Sequence, residues 1–387
     1  MKQEEISINI CGDFYIDPLL NDINYFNNDI LEEFHASDYN IVNLEAPIAE
    51  DLSKKILKSG PHLRISPETL CHLKLIRTDL VTLANNHIMD YGTHGLRQTF
   101  SICKESSMSW VGAGMTLQEA QTPFIKEIKG TKIAILNLAE NEFSIATRNK
   151  PGANPLDIAE NVRQIRKAKE NNDYVLVIIH GGHERYPLPS PRMVSQYRFF
   201  AENGASAIIG HHTHCISGFE IYNNVPIFYS LGNFLFTMKS EFESANTGLI
   251  LNLKAGRDKG LQWELVPVRQ DRETFAVSKI NGNEKKAILD EVKHYTDIIS
   301  NEELLLKKWE DFVGENFDLV LYRVFSPINM ISNRYLKGVI RRLGFDRFFI
   351  KSYHFTKILS YIKCEALSDV SASVIKKYLE ENENCNS

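Results

Sequence analysis

Short apolar runs recur through the first two-thirds of the chain, and several stop abruptly at a polar residue. Residues 7–11, 40–44, 80–84, 133–138, 174–179 and 207–209 are too short for helices and have the length and apolar character of buried strands. Segments of helical periodicity lie between several of them, at 95–104, 158–171 and 191–203. The last two close on Asn171-Asn172 and Asn203-Gly204, which suit helix C-termini. Two hairpins are predicted, 122–138 turning at Lys129-Gly130 and 220–231 turning at Asn223-Asn224. Strands alternating with helices, with hairpins added, predict an α/β architecture.

The residues that stop the strands carry the chemistry. Asp13, Glu45, Asn86 with His87, His180, and His212 with His214 each follow an apolar run. In open α/β sheets, ligands bind beyond the carboxyl ends of the strands. These five stations would therefore meet in one crevice. Each has a plainer reading alone: Asp13 as a turn residue after Gly12, Glu45 as a solvated carboxylate before Ala46-Pro47, Asn86 as a helix cap, His180 as a turn histidine. Taken together, those readings need five coincidences. His212 and His214, at i and i+2 of an extended chain, would point to one side and could reach one cation.

Carboxylates, an amide carbonyl and imidazoles suit divalent ions of the Mn, Fe or Zn class, in one or two sites. Two such ions about 3.5–4 Å apart would clamp a phosphoryl group and lower the pKa of bound water. His87 could then give a proton to a leaving oxygen, with Glu184 as a second catalytic candidate. Asn85, Asp90, His183, His211 and Asn233 are candidates for orienting the ligands or touching substrate.

Composition adds mostly exclusions. With 387 residues, 43% of them hydrophobic, the chain can bury a large core. A net charge of −5 gives no reason to expect nucleic acid. Six scattered cysteines without a CxxC pair argue against a disulfide scaffold or a cysteine-rich zinc site, and fit a reducing compartment. The start, MKQEEISINICGD, is acidic and enters a strand at once, unlike a signal peptide. No run of 18 apolar residues predicts a membrane-spanning helix, so a cytoplasmic protein is expected, peripheral at most to the inner face of the membrane.

The last third reads differently. Residues 284–300 and 302–316 are charged amphipathic helices by pattern, placing a boundary between a domain at 1–275 and a helical extension at 280–387. Residues 319–363 hold nine Lys or Arg and one acidic residue, Asp346, leaving +8 there and −13 elsewhere. Aromatics are interleaved, among them Tyr322, Phe325, Tyr335, Phe345, Phe348 and Tyr353. Such a stretch can lie on an anionic membrane or grip an acidic polymer; the alternative is a helical appendage packed on the catalytic domain.

At the strand-end motifs the chain resembles the bacterial capsule synthesis protein CapA family, which has a variant of the calcineurin-like metallophosphoesterase fold. The matching pieces are Gly12-Asp13, NLEAPI (43–48), LANNHIMDYG (83–92), GAG (112–114), HGGHERY (180–186), IGHHTH (209–214) and SLGNFLF (230–236). They keep the family's order and spacing over roughly residues 5–270. The resemblance implies a four-layer α/β/β/α sandwich with metal ligands at Asp13, Glu45, Asn86, His180, His212 and His214. Two positions depart from pattern. Gly181 stands where members usually carry tryptophan, and Tyr15 stands where true metallophosphoesterases have the histidine of Asp-x-His. What the resemblance implies is a metal-dependent hydrolase acting on a phosphoester and linked to capsule or cell-surface polymer biosynthesis. The alternative is a non-hydrolytic, membrane-associated component of poly-γ-glutamate-like polymer synthesis or export.

Overall fold

In the computed structural model, which describes residues 5–20, 24–58, 60–256, 260–320 and 333–345, the first strand runs past its expected end. β1 (Ile6–Tyr15) continues through Gly12-Asp13 as a bulge, with register shifts on both sides. Gly12 is what permits this. A Cβ there would lie 1.8 Å from the Gly232 carbonyl oxygen, the same oxygen that accepts the Asp13 N–H at 3.1 Å. The bulge re-aims the Asp13 carboxylate without ending the strand.

The chain continues through α1 (Asn28–Ala36), β2 (Tyr39–Leu44), α2 (Thr69–Leu75), β3 (Leu80–Thr82), α3 (Gly92–Glu105), β4 (Ser109–Val111) and β5 (Ala113–Gly114). Next come α4 (Leu117–Ala120), β6 (Phe124–Ile128), β7 (Thr131–Ala139), β8 (Gly152–Ala153), α5 (Ile158–Asn171), β9 (Tyr174–His180) and α6 (Pro191–Glu202). β10 (Ala207–His211), β11 (Phe219–Tyr222), β12 (Val225–Phe228), β13 (Asn233–Phe236), β14 (Thr247–Gly256), β15 (Gly260–Gln270) and β16 (Val277–Lys279) follow. α7 (Gly282–Ile299), α8 (Glu302–Val320) and α9 (Arg334–Arg342) close the described chain. Both predicted hairpins are present, and Lys129, Asn223 and Asn224 adopt the positive φ their turns require.

Two sheets carry the architecture. One runs in the order β16-β15-β14-β1-β2-β3-β4, with β13 also paired to β1; the other runs β11-β12-β10-β9-β7-β6. They stack face to face: Ile8, Ile10, Ile41 and Leu251 of the first pack with Ile135, Leu176, Ile178 and Ile209 of the second, all but dry. α1, α2 and α3 cover the outer face of the first sheet, where Phe34, Leu73 and Leu96 join its core. α5 and α6 cover the second sheet. Their ends follow local chemistry. Asp157 caps α5 by accepting the Glu160 N–H at 3.0 Å, and Ser190 precedes Pro191 at the start of α6. The result is a four-layer α/β/β/α sandwich with helices following it.

The chain divides into two compact units, Met1–Lys307 and Lys308–Ser387. Of the basic, aromatic stretch at 319–363, only residues 319–320 and 333–345 fall among the described residues. Among the described residues no helix is long and apolar enough to cross a membrane. Cys11, Cys71, Cys103 and Cys215 are free thiols.

Candidate metal centre

The carboxyl ends of both sheets open toward one point. The first sheet brings Asp13 from the β1 bulge, Glu45 just past β2, and Asn86 in the loop after β3. The second brings His180 as the last residue of β9, with His212 and His214 just past β10. β9 and β10 pair in parallel with His180 opposite His211, and β1 pairs with β2 so that Asp13 faces Asn43. Register thus puts the carboxylates on one side of the crevice and the imidazoles on the other.

Glu45, His180 and His212 each offer one ligand atom, all within 4.8 Å of one another; Asp13, Glu45 and His214 form a second such group. Glu45 belongs to both. Its Oε1 lies 3.6 Å from His180 Nε2 and 3.6 Å from His214 Nε2. His180 Nε2 also faces His212 Nδ1 at 3.0 Å and Asn86 Oδ1 at 3.1 Å, which draws all six expected ligands into one cluster. His212 and His214 divide between the two groups rather than sharing one. The reason is backbone conformation: both have positive φ, +92° and +56°, so the chain is not extended there and the i, i+2 geometry does not apply.

Charge in the cluster is unbalanced in a way that fits a cation. Both Glu45 oxygens are buried without a hydrogen-bond partner among the described residues. Burial, and then the charge of Asp13, push the Glu45 carboxyl well above the usual range. For Asp13, burial works the same way, yet the hydrogen bond and charge of His214 outweigh it and hold that carboxyl low. Burial disfavours a charged His214, but Glu45 and Asp13 reverse this and lift its pKa to about 10. His212 is pushed down to about 4 by burial and then by the neighbouring His214 charge, and burial likewise lowers His180. A proton on His214 therefore occupies the electrostatic place of a cation. An orphaned carboxylate shared between the neutral His180 and His212 on one side and the protonated His214 on the other fits a divalent metal, as these donor types predict.

The surrounding residues sort by what they touch. Asn43, which the sequence reading did not single out, donates from Nδ2 to Asp13 Oδ1 at 2.6 Å and lies 3.1 Å from His180 Nδ1. Asn233 Oδ1 is 2.9 Å from His214 Nδ1, and its Nδ2 donates to the Ala245 carbonyl. Asn85 holds the ligand loop by donating to the Leu44 carbonyl and accepting the His87 N–H. His87 Nδ1 meets Asp90 Oδ2 at 2.7 Å, leaving Nε2 4.0 Å from Glu45 Oε1. Burial lowers the pKa of the His87 imidazole despite Asp90. His211 is buried at the end of β10, and neither ring nitrogen has a hydrogen-bond partner among the described residues. His183 lies exposed in the loop after β9, outside the cluster. Glu184 is exposed too, on the wall of a cavity of about 420 Å³ that opens onto Asn86, His87, His214 and Asn233. Lys58, Glu142 and Arg185 share that wall, and none of the three was singled out from sequence.

At Gly181 the Glu140 side chain packs where a Cβ would stand, 2.5 Å from its Cγ. Glu140 accepts the Gly182 N–H at 3.1 Å and pairs with Arg192, so this carboxylate anchors the loop after β9.

The two-sheet sandwich thus carries, at its strand ends, one carboxylate shared between two groups of metal-ligating atoms. The chain belongs to the bacterial capsule synthesis protein PGA_cap family, whose sequence model matches residues 7–238. It is 30% identical over 262 residues to the PGA biosynthesis protein CapA of Bacillus subtilis, covering 67% of this chain and 68% of that one. It is 30% identical over 249 residues to the capsule biosynthesis protein CapA of Bacillus anthracis, covering 61% of each. A solved 5'-nucleotidase from Candida albicans superposes with a TM-score of 0.42 at 11% identity, covering 78% of this chain and 59% of that chain.

Proposed function

We propose that the protein is a metal-dependent hydrolase of the phosphoesterase type, serving capsule or cell-surface polymer synthesis. The observation that carries this reading is Glu45, buried, without a hydrogen-bond partner among the described residues, and common to two groups of metal-ligating atoms. Asp13, Glu45 and His214 would hold one ion; Glu45, Asn86, His180 and His212 would hold the other. A metal bound there supplies Lewis acidity toward a phosphoryl oxygen and an activated water. The chain's residues do the rest. Asn43 and Asn233 fix Asp13 and His214 by hydrogen bonds. Asp90 keeps a proton on His87 Nδ1, so a proton carried on Nε2 is directed at the site. Burial lowers the pKa of this imidazole, so its charged form gives up the Nε2 proton more readily and is less populated near neutral pH. Manganese-supplemented protein should hydrolyse an aryl phosphomonoester or phosphodiester, and His87→Ala should lower kcat by about 10²–10⁴-fold. Metal-loaded protein that turns over neither ester would count against the reading.

A second reading, a membrane-associated component of polymer synthesis, is favoured by α9. Arg334, Lys337, Arg341 and Arg342 lie along one side of this helix at helical spacing, with no acidic residue in it. Tyr335, Leu336, Val339 and Leu343 lie on the other side and are exposed. That pattern suits an anionic lipid surface. Flotation with anionic vesicles, abolished by Arg341→Glu with Arg342→Glu and by Val339→Asp, would support it. Binding insensitive to Val339→Asp would point instead to a soluble acidic polymer.

A further inference from the structure

One buried cation at the site has no role in the reading above. Lys58 reaches in from the loop between β2 and α2, and its side chain is only 4% exposed. Its ammonium pairs with Asp90 Oδ1 and lies 3.1 Å from His87 Nδ1. The loop itself hangs on Asp90. The Ile56 N–H donates to the Asp90 carbonyl at 3.1 Å, and the Leu63 N–H donates to Asp90 Oδ2 at 2.7 Å. One aspartate therefore fixes both the histidine and the segment that carries the lysine.

Donor counting decides what Lys58 can do. A carboxylate only accepts, so at 2.7 Å from Asp90 Oδ2 the His87 Nδ1 must carry its proton and donate. It cannot then accept from Lys58. Of three ammonium N–H groups, one is used on Asp90, and among the described residues the other two have no acceptor, so they can turn toward the cavity that Lys58 lines with Asn86, His87 and His214. Asp90 is already shared with the imidazole and a backbone amide, so it does not fully neutralise this nearly dry cation. Glu142, the other carboxylate that bears on Lys58, stands on the same wall and lies 3.9 Å from His212 Nε2. A buried ammonium with unspent donors beside the proton-carrying histidine is suited to an anionic oxygen.

We propose that Lys58 is a substrate-binding residue: its ammonium holds a non-bridging oxygen of the phosphoryl group, or of an equivalent oxyanion, next to His87. This rests on the phosphoesterase reading and adds to it the residue that takes the substrate's negative charge outside the metal-ligating cluster. Inorganic phosphate serves as the probe, titrated calorimetrically into full-length, manganese-supplemented protein. Lys58→Met, which keeps length and removes charge, should weaken phosphate binding by about tenfold to a hundredfold. Lys58→Arg should retain most of the affinity. Metal content should stay at the wild-type value in both variants, and the melting temperature should fall in Lys58→Met, where the buried Asp90 loses its partner, but less in Lys58→Arg, so binding is compared below the melting range of each variant. With a phosphoester, Lys58→Met should raise KM more than it lowers kcat. Phosphate affinity within twofold of wild type in Lys58→Met would overturn the assignment. So would loss of metal in that variant, which would make Lys58 a support of the metal cluster. Wild-type, metal-loaded protein that binds no phosphate would instead overturn the phosphoesterase reading itself.

Discussion

Replacing Glu45 by glutamine should stabilise the metal-free protein while abolishing its stabilisation by metal. Glu45 is fully buried, and neither oxygen has a hydrogen-bond partner among the described residues. A buried, unsatisfied polar atom costs about 1–3 kcal/mol, and two are present here. His180 and His214, each 3.6 Å from Oε1, return part of that cost. The net direction is given by the carboxyl's pKa, which burial and Asp13 raise. An acid whose folded pKa lies above its unfolded value destabilises the fold as pH climbs past that unfolded value, near 4.5. Glutamine has no such term. In chelator at pH 8, Glu45→Gln should therefore be about 1–3 kcal/mol more stable than wild type. That corresponds to a melting temperature about 2–6 °C higher, with the gain shrinking toward pH 5. With manganese at about a thousand times its Kd, wild type should gain about 4.1 kcal/mol and overtake the variant, which should gain nothing. Differential scanning calorimetry with and without metal reads both effects. A variant that melts below wild type in chelator would show that the Glu45 carboxylate does not destabilise the metal-free fold, and one that responds to manganese as wild type does would show that Glu45 is not a ligand.

Other consequences can be measured separately. Metal binding should release at least one proton near pH 7, because the carboxylates hold His214 protonated with a pKa of about 10; calorimetry in buffers of different ionisation enthalpy counts it. Asn233→Ala should weaken metal binding by about 10–100-fold, since Asn233 Oδ1 orients His214 from 2.9 Å, and should also lower the melting temperature, since the Ala245 carbonyl loses its donor; metal titration and calorimetry read the two effects. Gly12→Ala should cost at least about 1–3 kcal/mol in urea unfolding, because the new Cβ would lie 1.8 Å from a backbone oxygen that cannot rotate away.

Much of the centre was legible in the sequence because parallel strands end where ligands bind. Each apolar run pointed to its last polar residue, and the register of two sheets brought those residues together. Other features had weaker signals or none. Asn43 was findable: it is a buried polar residue in an apolar strand, two positions before Glu45 and so on the same side. The β1 bulge was not, because Gly12-Asp13 reads equally well as a turn, and only the distant Gly232 carbonyl decides between them. Lys58 gave no local signal, since its partner Asp90 is 32 residues away and a loop lysine is ordinarily solvated. His183 and His211 share motifs with the ligands yet occupy different surroundings, one exposed and the other buried beside the cluster. Motif membership does not fix where a side chain points. Tertiary placement does.

Asp13, Glu45, Asn86, His180, His212 and His214 together offer the ligand atoms of the proposed metal centre. The most direct measurement is the metal content of wild-type protein purified without chelator and then supplied with manganese, iron or zinc, beside a His212→Ala, His214→Ala double variant. Up to two ions per folded wild-type chain are expected, from the two ligand groups, and their loss in a variant that stays folded. A folded wild-type protein that takes up no metal when it is supplied, or a double variant that keeps its metal, would contradict this assignment.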